Sequence, residues 1–439
     1  MHDRLIDRWC IFISFLYKML YRLAVASKKF ILPLLPKSVG PRIKKKLLSR
    51  AFPLSNDIND RISKKNFQTT QLTKGVNLVG YARAEMGIGE SCRLAARSLN
   101  SVDVPFGIIN FEGTNSARMN DQSWIHKEIN KPIYDVNIFH INAEQMLEVY
   151  AQYGNSVFLN KYNIGYWHWE LPDFPDEWLD GFKFVNEVWV PSNFVANSIA
   201  LKSPVPVVRI PHGIEVLIKV KRERSYFNLP NDAFLFLSMY DVKSYQARKN
   251  PRASIEAFKL SFKPDDRGVG LVIKINNALS NLQELQAIYD LIDGYNNIYI
   301  IKETLDRDET NALIDITDCY ISLHRSEGFG LGLAEGMYLG KPVIGTNWSS
   351  NTDFMENNNS CLVNYNLVKV GKDHGPYKSY QYWAEPDIEH ASYFMKTLVS
   401  DKSYYRQIAI NGQKNIKENY SPAAVGQLMT KRLKYLNLY

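Results

Sequence analysis

From Gly75 onward the chain alternates short, largely apolar runs with helical segments, and this pattern narrows its fold more than any other feature. Runs of this kind belong to parallel sheets, whose strands are covered on both faces and joined by crossover helices. A first series predicts strands at Val76–Tyr81, Val104–Asn110, Val136–Ile141, Tyr162–Trp167, Glu187–Val190 and Val205–Ile210. A second predicts Phe234–Met239, Gly270–Ile275, Ile298–Ile301, Cys319–Leu323 and Pro342–Thr346. The series part near 215–230, behind Pro211 and Gly213 and across the charged stretch Lys219–Arg224. Two Rossmann-like domains facing across a cleft are therefore expected, over residues 70–218 and 225–418, with a helix in 419–439 returning to the first. Ligands of open α/β sheets bind beyond the carboxyl ends of the strands, so the loops there should carry the chemistry.

Charge sets the first 55 residues apart as an arm. Residues 1–50 hold twelve Lys and Arg against Asp3 and Asp7, a net of +10 in a chain of +8. The body is slightly acidic, which argues against a nucleic-acid face on the domains. Leu5, Trp9, Phe12, Ile13, Leu16, Leu20 and Leu23 recur at helical spacing, with Arg4, Arg8, Lys18 and Arg22 off the stripe. The unbroken apolar run, Trp9–Tyr17, is short against the ~20 residues of a spanning helix. A basic amphipathic helix lying on an anionic membrane, aided by Lys44, Lys45 and Lys46, is the expectation. Its rivals are docking of the stripe on the body and a signal peptide ending at Ala24-Val25-Ala26, which Lys18 and Arg22 disfavour. Cys10, Cys92, Cys319 and Cys361 form no C-x-x-C pair, which leaves buried free thiols in a reducing compartment.

Arg325-Ser326-Glu327-Gly328-Phe329-Gly330-Leu331-Gly332-Leu333-Ala334-Glu335 follows the strand Cys319–Leu323. Gly328 and Gly330 allow a tight turn, and a helix starting near Leu331 offers free N–H groups to a phosphate. Glu327 and Glu335 cannot neutralise a phosphate, but carboxylates suit the hydroxyls of a sugar and a ribose. Ser238-Met239-Tyr240-Asp241-Val242-Lys243 and Arg248-Lys249-Asn250-Pro251 follow the first strand of the second series, with Pro251 opening a helix.

The Glu327-x7-Glu335 pair inside Ser-Glu-Gly-Phe-Gly-Leu, followed by Lys341-Pro342-Val343-Ile344, resembles the signature of family-4 retaining glycosyltransferases of the GT-B fold, over about residues 75–435. The resemblance implies that Glu327 holds donor-sugar hydroxyls, outside the core, and that Glu335 holds the ribose. Gly328, Phe329, Gly330, Leu331 and Asn347 would line the donor. It implies a cationic clamp on the donor diphosphate, for which Lys249 matches well. Lys243 stands where an arginine is usual, with Arg248 as the substitute. Asn163-Ile164-Gly165-Tyr166-Trp167-His168-Trp169-Glu170 places His168 where many members carry an active-site histidine.

Tyr81–Glu90 resembles the first glycine-rich loop of the superfamily, where Gly87 and Gly89 would approach a ligand and Glu90 line the cleft. Trp167, Trp169 and Glu170 would line an acceptor site, with core packing as the alternative for both indoles. His140 and Asn142 are lesser cleft residues. Asp306-Arg307-Asp308 imitates a D-x-D metal motif but precedes a helix, so capping accounts for it better. No metal and no cofactor is expected. Trp383-Ala384-Glu385-Pro386 resembles a segment of polysaccharide-assembly members, with no role assigned.

The expectation is a metal-independent, retaining hexosyltransferase. It would move a sugar, mannose from GDP-mannose, to a glycan or polyprenyl-linked acceptor in bacterial surface-polysaccharide synthesis, at the inner face of the cytoplasmic membrane. A nucleotide-sugar epimerase or hydrolase and a non-catalytic scaffold are the rival readings.

Overall fold

The computed structural model of the protein describes residues 13, 16–21, 23, 39–52, 73–113 and 117–439. Its first sheet contains β1 (Val76–Gly80), β2 (Phe106–Asn110), β3 (Val136–His140), β4 (Tyr162–Tyr166), β5 (Glu187–Val190) and β6 (Val207–Arg209), in the order β2-β1-β3-β4-β5-β6. The second contains β7 (Phe234–Asp241), β8 (Val269–Asn276), β9 (Ile298–Ile301), β10 (Cys319–Ser322), β11 (Val343–Thr346) and β12 (Cys361–Val363), in the order β12-β11-β10-β7-β8-β9. The pairings within both sheets are parallel. Each strand order reverses beside the first strand of its series, between β1 and β3 and between β7 and β10. These are the switch points at which an open α/β sheet leaves a crevice for ligand.

All five residues of β1 and seven of the eight of β8 are buried, which is why they read as apolar runs. The polar exceptions are paired. Asn77 donates to Asn137 at 2.9 Å and Asn137 donates to Asn163 at 2.8 Å, so one amide from each of β1, β3 and β4 joins a ladder that fixes register. The helix Pro422–Tyr435 lies on the helix Gly87–Asn100 of the first domain, where Gly426 lets it approach the Ser98 carbonyl. Arg432 secures it by ion pairing with buried Glu187 of β5.

A two-stranded antiparallel hairpin, β13 (Tyr365–Lys369) and β14 (Tyr382–Pro386), extends the second domain. Val370, Tyr377 and Trp383 from the hairpin and its loop join the apolar core of the first domain. Two interdomain bonds add to this contact, Gln381 to the Asp173 carbonyl at 2.9 Å and Ser192 to Ser350 at 2.7 Å.

In the arm, the helix Val39–Ala51 docks on the first domain through buried Leu48 and Ala51 and a Lys44–Glu148 ion pair of 2.5 Å. Lys44 is thereby engaged by protein and not held out for lipid. Tyr17 and Lys18 turn toward this helix, meeting Arg50 and the Phe52 ring. Ile13, Leu16 and Leu20 of the stripe are 43–47% exposed, so these described members face outward. Leu5, Trp9 and Phe12 of the stripe, and Ala24–Ala26, lie outside the described residues. Among the described residues no helix is long and apolar enough to cross a membrane.

Candidate active site

The loops after β7 and β10 meet at the switch point of the second sheet. Glu327 is 8% exposed and sits between two cations, with Lys249 Nζ 2.5 Å from Oε1 and Arg248 Nη1 3.3 Å from Oε2. Burial alone would raise the Glu327 carboxyl, but Lys249 and Arg248 hold it down at about 2. Burial lowers the Lys249 ammonium, against the pull of Glu327. Arg248 also donates to the Ser326 carbonyl at 2.7 Å, so it ties the β7 loop to the glycine turn. Lys243, by contrast, is an exposed residue of the single turn Val242–Ser244.

The turn is held from several sides. Gly330 takes φ +96°, a left-handed conformation that favours glycine and starts the helix Leu331–Tyr338. Glu327 N–H donates to Ser349 Oγ at 2.9 Å. Arg325 forms a bidentate pair with Glu385 at 2.6 and 2.9 Å and lies over Trp383, which gives the β14 segment a role in fixing the turn. The Phe329 ring is buried against His212 and Phe354, which leaves only the backbone of this residue to face a donor. Asn347 is exposed, whereas Ser349 and Asn351 of the same loop are buried, the second bonded to His324 at 3.0 Å.

Glu335 forms a short ion pair with Arg307, whose guanidinium also lies 3.8 Å from Glu90 of the first domain. Burial raises the Glu335 carboxyl and Arg307 opposes it. Glu90 is held near 2 against the effect of burial by Arg307, Arg93 and Arg97. Arg307 thus spans the cleft between one predicted donor residue and one predicted cleft residue. Its neighbour Asp306 caps the helix Arg307–Ile316 in a capping box with Glu309.

Glu170 reaches the same cleft. It accepts from Tyr377 at 3.0 Å, and its carbonyl accepts a short bond from Ser326. Trp167 and Trp169 are wholly buried, which corrects their reading as an acceptor platform. Trp167 folds back over Gly165, whose missing side chain leaves room for the indole, and packs on Phe182. Trp169 packs on Trp178 and Tyr377. His168 lies against Gly328, and its backbone N–H donates to Asn142 Oδ1 at 2.9 Å.

The two glycines of the first loop do not serve a ligand alike. A Cβ on Gly87 would meet nothing within 4 Å, while one on Gly89 would fall 2.2 Å from the Ala84 carbonyl of its own loop. Gly89 is therefore needed for the loop to close on the helix. Gly87→Ala should leave thermal stability unchanged or slightly raised, and Gly89→Ala should cost about 1–3 kcal/mol of overpacking. Equal melting curves for the two variants would contradict this.

Arg307, Ser349, His212 and Tyr377 were not picked out as site residues from sequence. Of these, His212 stands in Ile210-Pro211-His212-Gly213 just past a predicted strand, a position that marks a loop at the cleft. Among the described residues no group of three or more His, Cys, Asp or Glu is placed to hold a metal ion.

Residues 221–374 match the family Glycosyl transferases group 1. No curated protein matches the chain. Several solved structures share its architecture at low identity. A glycosyltransferase from Rickettsia africae superposes with a TM-score of 0.60 at 15% identity, covering 83% of this chain and 99% of its own. Sucrose-phosphate synthase from Thermosynechococcus elongatus gives 0.59 at 14%, over 83% and 99%. Anabaena HepE, solved in complex with UDP and glucose, gives 0.58 at 12%, over 82% and 100%. Residues 221–374 therefore form a glycosyl transferases group 1 domain, in a chain of the two-domain GT-B fold.

Proposed function

We propose that the chain is a retaining glycosyltransferase that moves a sugar from a nucleotide-sugar to a glycan or lipid-linked acceptor in surface-polysaccharide synthesis. The observation that carries this reading is the Glu327 carboxylate held between Lys249 and Arg248 at the β7/β10 switch point, within the group 1 domain. A diphosphate entering there meets two cations and the N–H groups of the helix Leu331–Tyr338. The acceptor oxygen bonds to the anomeric carbon as the bond from that carbon to the diphosphate breaks. The departing diphosphate oxygen takes the acceptor proton on the same face, so configuration is kept without a side-chain nucleophile. Glu327 would orient the sugar through its hydroxyls and Glu335 the ribose. The protein supplies position and charge.

The test is incubation with a panel of nucleotide-sugars, with and without a polyprenyl-linked acceptor. GDP-mannose, expected from the sequence, and UDP-glucose, the ligand of a HepE structure, come first. Acceptor-dependent nucleotide release supports the transferase. Donor turnover without acceptor supports the hydrolase reading where nucleotide is released and the epimerase reading where a new nucleotide-sugar forms, and no conversion of any donor supports the scaffold. Because Arg248 and Lys249 meet the diphosphate charge, turnover should persist in excess EDTA. Loss of turnover that magnesium or manganese restores would overturn the metal-independent scheme.

The outward face of Ile13, Leu16 and Leu20, in an arm of net +10, supports docking on an anionic membrane, at the inner face of the cytoplasmic membrane. Each basic residue near such a surface contributes about 1 kcal/mol. The full chain should float with anionic vesicles and release in high salt. The double variant Leu16→Glu, Leu20→Glu should float poorly. Equal flotation of the two would remove the membrane role.

A further inference from the structure

Tyr166, at the end of β4, stands among three histidines. His140 stacks on its ring at 4.6 Å, and His168 and His212 lie 5.4 Å away. The hydrogen bonds among Tyr166, His212 and His168 run in one direction. The Tyr166 hydroxyl is 2.7 Å from the Ile210 carbonyl, a contact between two oxygens that requires the Tyr166 proton. Tyr166 can then only accept at its remaining contact, 3.4 Å from His212 Nδ1, which assigns that nitrogen the proton. A neutral His212 has its other nitrogen bare. His212 Nε2 lies 3.0 Å from His168 Nε2, so the proton of that bond belongs to His168. His168 Nδ1 is left without a proton and is a buried nitrogen with no hydrogen-bond partner among the described residues.

We propose that His212 is a positioning residue that locks His168 in its Nε2–H tautomer, so that the bare Nδ1 accepts a hydrogen bond from a substrate hydroxyl beside the Glu327 turn. His168 Cβ lies against Gly328, one residue from Glu327, which sets the residue beside the turn of the proposed sugar site. His212 is in turn clamped edge-on by Phe329 at 4.8 Å, so the buried ring of the glycine turn serves the site by holding His212. Burial keeps His168 at about 4 and His212 well below its ordinary value, consistent with neutral rings throughout. The inference rests on the transferase reading for the identity of the hydroxyl, but its tautomer assignment can be measured without turnover.

The measurement is 15N NMR of the full chain labelled at histidine, with the His168 signals identified by their absence from His168→Asn. The wild type should show His168 protonated at Nε2 and bare at Nδ1. A wild-type spectrum with Nδ1 protonated would overturn the proposal, and this arm needs no variant of His212. In His212→Gln, the side-chain carbonyl can still accept from His168 Nε2, so the tautomer and most of kcat should survive. In His212→Phe, the ring volume remains but the acceptor is gone. The His168 tautomer should become mixed, with kcat down about tenfold or more and the donor KM little changed. Equal spectra and equal kcat for the Gln and Phe variants would also overturn it. If no nucleotide-sugar is turned over by the wild type, the transferase reading fails while the spectra still decide the tautomer.

Discussion

Glu327→Gln is expected to abolish sugar transfer, by a factor of about 10³ or more, which corresponds to about 4 kcal/mol of transition-state stabilisation. The carboxylate is nearly buried, held by Lys249 at 2.5 Å and Arg248 at 3.3 Å, and is kept ionised at neutral pH by both. An amide keeps its shape but cannot neutralise two cations, and it offers a sugar hydroxyl a weaker acceptor. Glu327→Ala would abolish activity as well, but it is the poorer test. The sequence reading placed this carboxylate outside the core, with the fold indifferent to its loss. In the structure either variant leaves Arg248 and Lys249 without their buried counterion, at a cost of about 3–5 kcal/mol, and Ala in addition deletes the oxygens that accept from both cations and leaves a void. Rates of nucleotide release and of product formation, measured beside a melting curve, separate the two effects. Near wild-type turnover in Glu327→Gln would remove Glu327 from the site.

What could be read from sequence was what short-range pattern determines. Parallel strands such as β1 and β8 are buried on both faces, so their apolar runs stand out. Glu327 and Lys249 stand out because each lies in a loop directly after a strand, and the strand order brings those loops together. Three classes of feature were hidden. Contacts that cross the cleft depend on how two domains dock, so Arg307 with Glu90 and Tyr377 with Glu170 carry no local signal, and His168 with His212 joins two loops of the first domain that are 44 residues apart in the chain. Side-chain direction beyond a strand end is set by neighbours, so Trp167 and Trp169 could be placed near the cleft but not assigned to its core side. The hairpin escaped because β13 is half-exposed and β14 ends in Pro386, which breaks the apolar pattern of a covered strand. That hairpin nevertheless supplies Tyr377 and Glu385, which brace Glu170 and Arg325 on either side of the turn.

The diphosphate clamp should depend on Arg248 and Lys249, with Lys243 contributing little. Arg248 is 5% exposed and has Glu327, the Ser326 carbonyl and, at 4.0 Å, Glu170 around its guanidinium, with the Tyr377 ring beneath it at 5.7 Å. Its planar group can keep the Ser326 bond while turning another N–H toward an incoming phosphate, a division that the point charge of a lysine cannot reproduce. Arg248→Lys should therefore weaken binding of the nucleoside diphosphate about tenfold with the fold kept. Arg248→Met should weaken it by about 10² or more and lower stability by about 3–5 kcal/mol, because Glu327 loses a buried partner. Lys243→Ala, at an exposed position, should stay within about 0.5 kcal/mol in stability and within a few-fold in affinity. Calorimetric titration of each variant with UDP and with GDP, alongside urea unfolding, reads both quantities. If Arg248→Lys binds as the wild type does while Lys243→Ala loses affinity, the second cation of the clamp is Lys243, and Arg248 serves only to tie the β7 loop to the turn.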